Sequence, residues 1–307
     1  MQLHSTSGKW HLGLALTLVS VILWGSLPIA LKITLQALDV YTLTWFRFLV
    51  SFTLVGIYLT TRNKLPPLEK LRSTSPILIA IATLFLALNY LFFLKGLSLT
   101  SPANAQVIMQ LAPVFMGLGG LTIFKEKYSL TQWVGVGILT LGLSLFFNQQ
   151  LKTLITAPSQ YLLGCSLIVI AAIVWAIYAL AQKQLLKQLP SSNIMLIIYG
   201  GCILLFTPTA TPPTILNINY LHWFALIFCC LNTVFAYGSF AEALEHWEAS
   251  KISALLATTP VVTLFTAWLI SLLIPNLISP EKLTVLALFG AVLVVVGSIT
   301  IALGQKR

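Results

Sequence analysis

Residues 90–113, YLFFLKGLSLTSPANAQVIMQLAP, are matched further along the chain by residues 237–260, YGSFAEALEHWEASKISALLATTP. Both stretches keep a tyrosine, a leucine and a proline at the same spacing, with steps of 7 and 16 residues. Self-similarity on this scale indicates an internal duplication. The shared positions are Tyr90 and Tyr237, Leu97 and Leu244, and Pro113 and Pro260.

The sequence on either side extends the match over most of the chain. The further pairs are Trp24 and Lys32 with Trp175 and Lys183, and Gly135 and Gly142 with Gly290 and Gly297. An apolar bundle of five crossings that is repeated once must place its second copy upside down relative to the first. Inverted repeats of this kind are typical of secondary transporters, in which the pathway lies between two pseudo-symmetric halves.

The composition indicates a polytopic membrane protein. Hydrophobic residues make up 58% of the 307 residues and charged residues only 8%, whereas a soluble domain carries about 25% charge. The mean hydropathy is +0.95. The net charge of +10 does not indicate a nucleic-acid partner, because the basic residues are scattered between apolar spans. The lipid bilayer is the expected environment.

Apolar stretches of about 20 residues, the length that crosses a bilayer, predict ten transmembrane helices. We therefore expect an all-α polytopic membrane protein of two inverted five-helix repeats, residues 1–150 and 151–307. The predicted spans are 11–36, 40–61, 75–96, 102–124, 131–148, 161–183, 193–210, 219–243, 249–273 and 282–303.

The distribution of Lys and Arg predicts the orientation. With the N-terminus inside, twelve of the 17 Lys and Arg residues flank the spans on the inner side, and Arg47 lies within the second span. This bias predicts that both termini are cytoplasmic, and we expect the protein in the cytoplasmic (inner) membrane. The four on the outer side are Lys32, Lys95, Lys152 and Lys282.

The sequence lacks the residue patterns that several classes of function require. The chain has no GxxxxGK[ST] loop for ATP, and no Asp, Glu or His lies in the middle of a predicted span, which disfavours a carboxylate proton relay. All four cysteines fall in apolar segments without metal spacing. We expect no enzyme activity, no cofactor and no metal site.

Short motifs in a fixed order resemble the EamA-type exporters of the ten-helix drug/metabolite transporter superfamily. The resemblance covers essentially the whole chain. In the first copy the motifs are Leu23-Trp24-Gly25-Ser26, Arg47-Phe48-Leu49, Gly96-Leu97, Ala103-Asn104-Ala105, Ala112-Pro113-Val114-Phe115 and Lys125-Glu126. In the second they are Trp175-Ala176, Ala243-Leu244, Ala249-Ser250-Lys251 and Thr259-Pro260-Val261.

The resemblance implies export of small metabolites, such as amino acids or amphipathic compounds. It also implies a central cavity formed by helices 1–4 and 6–9, with helices 5 and 10 peripheral, where a homodimer contact is expected. Two features depart from the pattern. Leu273 stands where the second copy should match Glu126, and the turn before the last helix is about eight residues longer than its counterpart.

Three residues within spans carry specific predictions. Pro113 and Pro260, near the middle of helices 4 and 9, predict a hinge or cavity wall, because proline leaves a carbonyl without its helical partner; a packing kink is the alternative. Arg47 is either a cation that attracts a substrate carboxylate or a side chain that reaches the outer headgroups. The sequence does not choose between these two interpretations.

Aromatic and uncharged polar residues complete the predicted substrate pathway. Aromatic rings with one polar atom suit an amphipathic substrate, whereas Trp10, Trp45, Trp133 and Trp223 fit an interfacial belt. Polar residues inside spans either line the pathway or join helices. The candidate pathway residues are Trp24, Arg47, Asn89, Tyr90, Gln106, Gln110, Trp175, Tyr178, Tyr237 and Thr258.

Two other functions remain open at this point. A nucleotide-sugar or phosphorylated-metabolite antiporter would need several cations inside its spans, and Arg47 is the clear candidate. A non-transporting scaffold or lipid enzyme would not explain prolines and aromatic residues paired across both copies. The glycines Gly135, Gly142, Gly290 and Gly297 are expected to permit close helix packing.

Overall fold

The computed structural model describes residues 9–66, 71, 74–112, 115, 129–146, 148, 159–185, 188–247, 255–256, 258–274 and 284–303. These residues form α-helices and one 3₁₀ turn, Pro212–Asn217, and no strand, which confirms the all-helical prediction. The helices are α1 (Trp10–Thr34), α2 (Val40–Thr61), α3 (Pro76–Leu99), α4 (Pro102–Ile108), α5 (Leu130–Phe146), α6 (Ser159–Leu185), α7 (Ser191–Phe206), α8 (Tyr220–His246), α9 (Thr259–Leu273) and α10 (Val285–Leu303).

Five helices of the described residues are long and apolar enough to cross a membrane, and the chain is a membrane protein. Four shorter apolar helices accompany them, in α5, α7, α9 and α10. The predicted number of ten crossings is therefore not established by helix length alone. The five long segments are Trp10–Thr34, Val40–Thr61, Pro76–Leu99, Ser159–Gln182 and Tyr220–Phe240.

Polar caps fix where the helices begin. The Asp39 carboxylate accepts hydrogen bonds from the backbone N–H groups of Tyr41 and Thr42 and thereby starts α2. Ser75 and Ser101 cap α3 and α4, and each is followed by a proline, whose missing N–H costs nothing in a first turn. The helix starts therefore follow from local chemistry as well as from hydropathy.

Helices from the two halves pack in antiparallel pairs. In the α2–α7 pair, the Trp45 indole donates to Thr207 over 3.1 Å, and Phe52, further along α2, lies beside Gly200, earlier on α7. The α1–α8, α3–α6 and α5–α10 pairs have the same sense, since α1 begins near the end of α8, Gly96 lies beside Gly164, and Gly135 lies beside Gly297.

The hydrophobic core lies among the helices other than α5 and α10. One large cluster joins α2, α3, α6 and α7, and a second joins α1 to α4 with α6 and α8. Helices α5 and α10 pack mainly against each other, and Val107 on α4 connects their cluster to the rest. The large apolar side chains that α5 and α10 expose, such as Leu130 and Val285, are suited to contact lipid.

Helices 4 and 9 are interrupted close to their prolines. A turn at Met109 and Gln110 ends α4, and α9 begins only at Thr259, although residues 255–256 are also helical. Pro260 therefore lies in the first turn of α9. The sequence had instead predicted a position near the middle of a continuous span. Pro113, the other predicted hinge residue, lies outside the described residues.

At these interruptions, the backbone forms tighter turns, in which an N–H group donates to the carbonyl three residues earlier. In the first half, the N–H of Ala112 donates to the carbonyl of Met109. In the second half, the N–H groups of Thr258 and Val261 donate to the carbonyls of Leu255 and Thr258. Such 3₁₀ geometry inside a helical segment is often found at functional positions, and discontinuous membrane helices recur at transporter binding sites.

The cap of α2 provides a test that depends on pH. Burial alone would raise the pKa of Asp39, but hydrogen bonds from Thr42, Tyr41 and Thr211 lower it below 3.8. We expect Asp39→Ala to lower the free energy of unfolding at pH 7 by about 0.5–2 kcal/mol. Because the folded pKa is depressed, this contribution is present above pH 3.8 and is lost as the pH falls through the lowered value.

Thermal unfolding of purified protein in detergent, measured across this pH range, checks the expectation. Asp39→Asn is the matched control, because its side chain keeps an acceptor for the N–H groups of α2 but does not titrate. It should retain most of the stability and lose the part of the pH dependence that the Asp39 carboxylate contributes. An Asp39→Ala variant that melts with the native protein at pH 7 would contradict the assignment.

Candidate functional site

Aromatic side chains from both halves meet near the middle of their helices. The rings of Trp24 on α1 and Tyr237 on α8 lie 5.1 Å apart in an edge-to-face arrangement at 74°, a geometry that aromatic pairs favour. The polar atoms of Trp175 on α6 and of Tyr90 on α3 lie close enough to the Tyr237 hydroxyl to interact with it. We call these four residues, Trp24, Tyr90, Trp175 and Tyr237, the aromatic cluster.

Arg47 lies at one side of the aromatic cluster. Its guanidinium carbon is 4.7 Å from the centre of the Tyr90 ring, and its Nη2 donates to the hydroxyl of Thr233 on α8 over 3.0 Å. Only 3% of the Arg47 surface is exposed. The side chain therefore points into the protein and does not reach toward the outer headgroups.

A packed aromatic core supports this arrangement from the α7 side. Phe48 lies next to Arg47 in sequence, and its ring is 4.6 Å from that of Tyr90 and 5.8 Å from that of Tyr199. The Tyr178 hydroxyl donates to the sulfur of Met195 over 3.4 Å and is fully buried. Tyr178 therefore belongs to the core behind the aromatic cluster, with its polar atom already occupied.

The amide candidates make contacts that join helices. Asn89 donates to the carbonyl of Ala171 over 2.9 Å and so ties α3 to α6. Gln110 donates to Thr259 and accepts from Ser298, both over 3.4 Å, which links the end of α4 to α9 and α10.

The two remaining polar candidates lie on or beside α4 and α9. Thr258 donates to the carbonyl of Leu255 and is half-buried just before α9. Gln106 is half-buried on α4. The structure thus places the aromatic candidates and Arg47 together, whereas the contacts described for Asn89, Gln110 and Thr258 are with other helices or with the local backbone.

Sequence reasoning missed two polar residues close to this site. Thr233 receives the Arg47 hydrogen bond, and the buried hydroxyl of Ser51 has no partner among the described residues. A helical signal was available for both. Ser51 lies four residues after Arg47, and Thr233 lies four residues before Tyr237, so each shares a helix face with a predicted site residue.

The model of the EamA-like transporter family matches residues 11–148 and again residues 162–303. The chain belongs to the EamA-like transporter family.

Proteins named as transporters or efflux pumps in other organisms are similar to this chain over nearly the full length. The "Uncharacterized inner membrane transporter YhbE" of Escherichia coli K12 is 38% identical over 96% of this chain and 92% of its own. An "Uncharacterized transporter" of Haemophilus influenzae is 35% identical over 96% of both chains. A "Probable amino-acid metabolite efflux pump" of Salmonella typhimurium is 23% identical over 92% of both.

A solved structure supports the fold of this EamA-like chain. A protein crystal structure covers 96% of this chain and 98% of its own, with a TM-score of 0.66 at 16% sequence identity. At this identity the likeness concerns the fold alone. The matched family and these relatives are named as transporters or as an efflux pump, which agrees with a site built from aromatic rings, hydroxyls and one cation.

Proposed function

We propose that this protein is a secondary transporter that exports small metabolites, such as amino acids or amphipathic compounds, by alternating access. The observation that carries the proposal is the aromatic cluster together with Arg47. Trp24, Tyr90 and Arg47 come from the first half and contact Tyr237 and Thr233 of the second. A binding site between two halves can open to one side of the membrane and then to the other when the halves move relative to each other.

The helix pairing supports an architecture of ten crossings in two inverted repeats, residues 1–150 and 151–307. Helices α2 and α7 hold equivalent places in the two halves, as do α5 and α10, and both pairs run antiparallel. Equivalent helices that run in opposite directions are what inverted repeats require. The family model also matches the chain twice, at residues 11–148 and 162–303.

We propose the orientation of the protein from its charge distribution and its membrane from a similar protein. The YhbE protein of Escherichia coli is named as an inner membrane transporter, and we propose the same membrane for this chain. The excess of Lys and Arg on one side of the spans favours cytoplasmic termini. Substrates would then enter the site from the cytoplasm and leave on the outer side.

A nucleotide-sugar or phosphorylated-metabolite antiporter is the alternative. Such substrates carry two or more negative charges and would need several cations around the site. Around the aromatic cluster, the described residues supply the guanidinium of Arg47 as the cation, while Lys32 and Lys95 lie near the outer helix ends and contact the backbone of residues 97–100 and Tyr41. The site is therefore better suited to substrates of low charge.

Transport by purified protein in proteoliposomes tests the proposal. Uptake and counterflow would be measured for neutral, aromatic and acidic amino acids, an amphipathic cation and a nucleotide sugar, with and without a pH gradient, against protein-free liposomes. Saturable flux of an amino acid or amphipath supports the exporter. Exchange of the nucleotide sugar alone favours the antiporter, and no flux of any compound contradicts both.

A further inference from the structure

Arg47 is a buried cation whose hydrogen-bonding capacity is only partly used. Guanidinium stays charged at every physiological pH and offers five N–H donors. Within the described residues, Nη2 donates to Thr233, the Tyr90 ring covers one face, and the Nε atom is buried without a partner. Neither a hydroxyl nor an aromatic face carries the full negative charge that would neutralise this side chain.

Among the residues that the structure describes, the acidic side chains of Asp39 and Glu242 lie away from Arg47. Asp39 precedes Arg47 by eight residues, which is about 12 Å along a helix, and its carboxylate already accepts hydrogen bonds from Thr42 and Thr211. Glu242 is well exposed near the end of α8. All seven acidic residues flank the predicted spans, at Asp39, Glu69, Glu126, Glu242, Glu245, Glu248 and Glu281. A buried charge without a counter-ion is strongly unfavourable, so an anion bound from outside would stabilise Arg47 in its described surroundings.

A second unpartnered donor lies one helical turn further into the membrane. The hydroxyl of Ser51 is fully buried and makes no hydrogen bond within the part of the chain that the structure describes. Residues four apart lie on one face of a helix, so Ser51 and Arg47 face the same side of α2. Together they offer a cation and a hydroxyl to a single acceptor group near the middle of the membrane, about 10–17 Å below the start of α2.

The second half does not repeat these donors. The offset of 151 residues that relates Trp24 to Trp175 also relates Val40, the start of α2, to Ser191, the start of α7. At this offset Ile198 and Cys202 occupy the positions in the second copy that correspond to Arg47 and Ser51 in the first, and both are fully buried. The second half therefore supplies no equivalent cation and hydroxyl at these two positions, and a bound acceptor group would meet both of them on the α2 side.

We infer that Arg47 and Ser51 bind the carboxylate of a small monocarboxylate, whose apolar body lies against the aromatic cluster; this rests on the proposed transport function and specifies its substrate class. One cation matches one negative charge, whereas a phosphate dianion would leave an unbalanced charge in a buried site. An amphipathic cation without a carboxylate would be repelled by the guanidinium. Amino acids with apolar side chains carry the required carboxylate, and their ammonium group would need an acceptor of its own.

Matched pairs of acids and amides test this inference without any mutation. The probes are 3-phenylpropionate, indole-3-acetate and hexanoate, each compared with its primary amide, which has nearly the same shape but no charge. Binding to the full-length protein in detergent would be followed at pH 7.5 by thermal shift. We expect at least one acid to bind about 10- to 100-fold more tightly than its amide, as charge-assisted hydrogen bonds allow. No acid preference in any pair would overturn the inference.

Variants assign the preference to Arg47. In Arg47→Gln the ratio of acid to amide affinity should fall to near one. Arg47→Lys should keep part of the acid preference, because lysine keeps the positive charge but lacks the paired N–H donors of the guanidinium. Ser51→Ala should weaken acid binding by about two- to fivefold. Lys95→Gln, which removes a cation that contacts Tyr41, is the control and should leave the ratio unchanged.

The ratio is measured within one preparation, so a lower folded fraction in a variant does not alter it. If Arg47→Gln does not fold, the inference is still tested by the acid and amide probes on the native protein and on the Arg47→Lys and Ser51→Ala variants. A full acid preference in Arg47→Gln, or stronger competition by inorganic phosphate than by any acid, would overturn the inference.

The outcomes also separate this inference from the transport function. Flux of a neutral compound or a cation without any acid preference would leave transport standing and overturn the carboxylate site. An acid preference that disappears in Arg47→Gln, in a protein that moves no compound across proteoliposomes, would support the site and contradict transport.

Discussion

Replacing Trp24 by alanine is expected to lower saturable uptake into proteoliposomes by about tenfold or more at substrate concentrations below half-saturation. The Trp24 ring lies 5.1 Å from that of Tyr237 and 5.5 Å from that of Phe240, so it joins α1 to α8 beside the proposed site. An aromatic pair contributes about 0.5–1.5 kcal/mol beyond its buried area, and about 1.4 kcal/mol corresponds to a factor of ten. The variant loses this pair and an apolar surface for the substrate.

The matched variants separate a role in transport from a general loss of stability. Trp24→Phe keeps a ring and should recover much of the uptake, and Trp175→Ala should reduce uptake like Trp24→Ala, because Trp175 also contacts Tyr237. Trp133→Ala removes an indole that is 52% exposed on α5 and should transport normally. If uptake is unchanged in both Trp24→Ala and Trp175→Ala while the proteins insert normally, these residues do not belong to the pathway.

Hydropathy predicted the helices well where a span is continuous. The second span was expected at residues 40–61 and is observed as Val40–Thr61, since an apolar run and an Asp cap coincide there. The segment expected at 249–273 instead yields a helix that begins at Thr259. Pro260 indicated an irregularity in this segment, but the sequence did not decide whether the proline would bend a continuous helix or lie in the first turn of a new one.

The site was predictable to the extent that the two copies keep the same residue types. Recurrence together with aromatic character singled out Trp24, Trp175, Tyr90 and Tyr237, and the structure brings these four together. The position of Arg47 was not decided by the sequence, because its partner Thr233 lies 186 residues away and belongs to no repeated motif. Contacts between halves depend on how the halves dock, which spacing within each half does not specify.

The glycines that the two copies share predict the second large effect, which concerns the packing of α5 against α10. A Cβ atom added to Gly142 would lie 2.6 Å from the backbone nitrogen of Val294, and one added to Gly290 would lie 2.4 Å from that of Phe146. Both contacts are with backbone, which cannot rotate aside as a side chain does. We expect Gly142→Ala and Gly290→Ala each to lower the free energy of unfolding by about 1–3 kcal/mol, the usual cost of overpacking.

Gly137 provides the control within the same helix, since a Cβ atom there meets nothing within 4 Å. Gly137→Ala should be neutral or slightly stabilising, because alanine favours a helix by up to about 1 kcal/mol over glycine. The three variants would be compared by thermal unfolding in one detergent, with uptake measured beside it. Because α5 and α10 pack mainly against each other, destabilised variants that still insert should keep the acid-to-amide affinity ratio. Equal melting of all three variants would mean that α5 and α10 are not in backbone contact at these glycines.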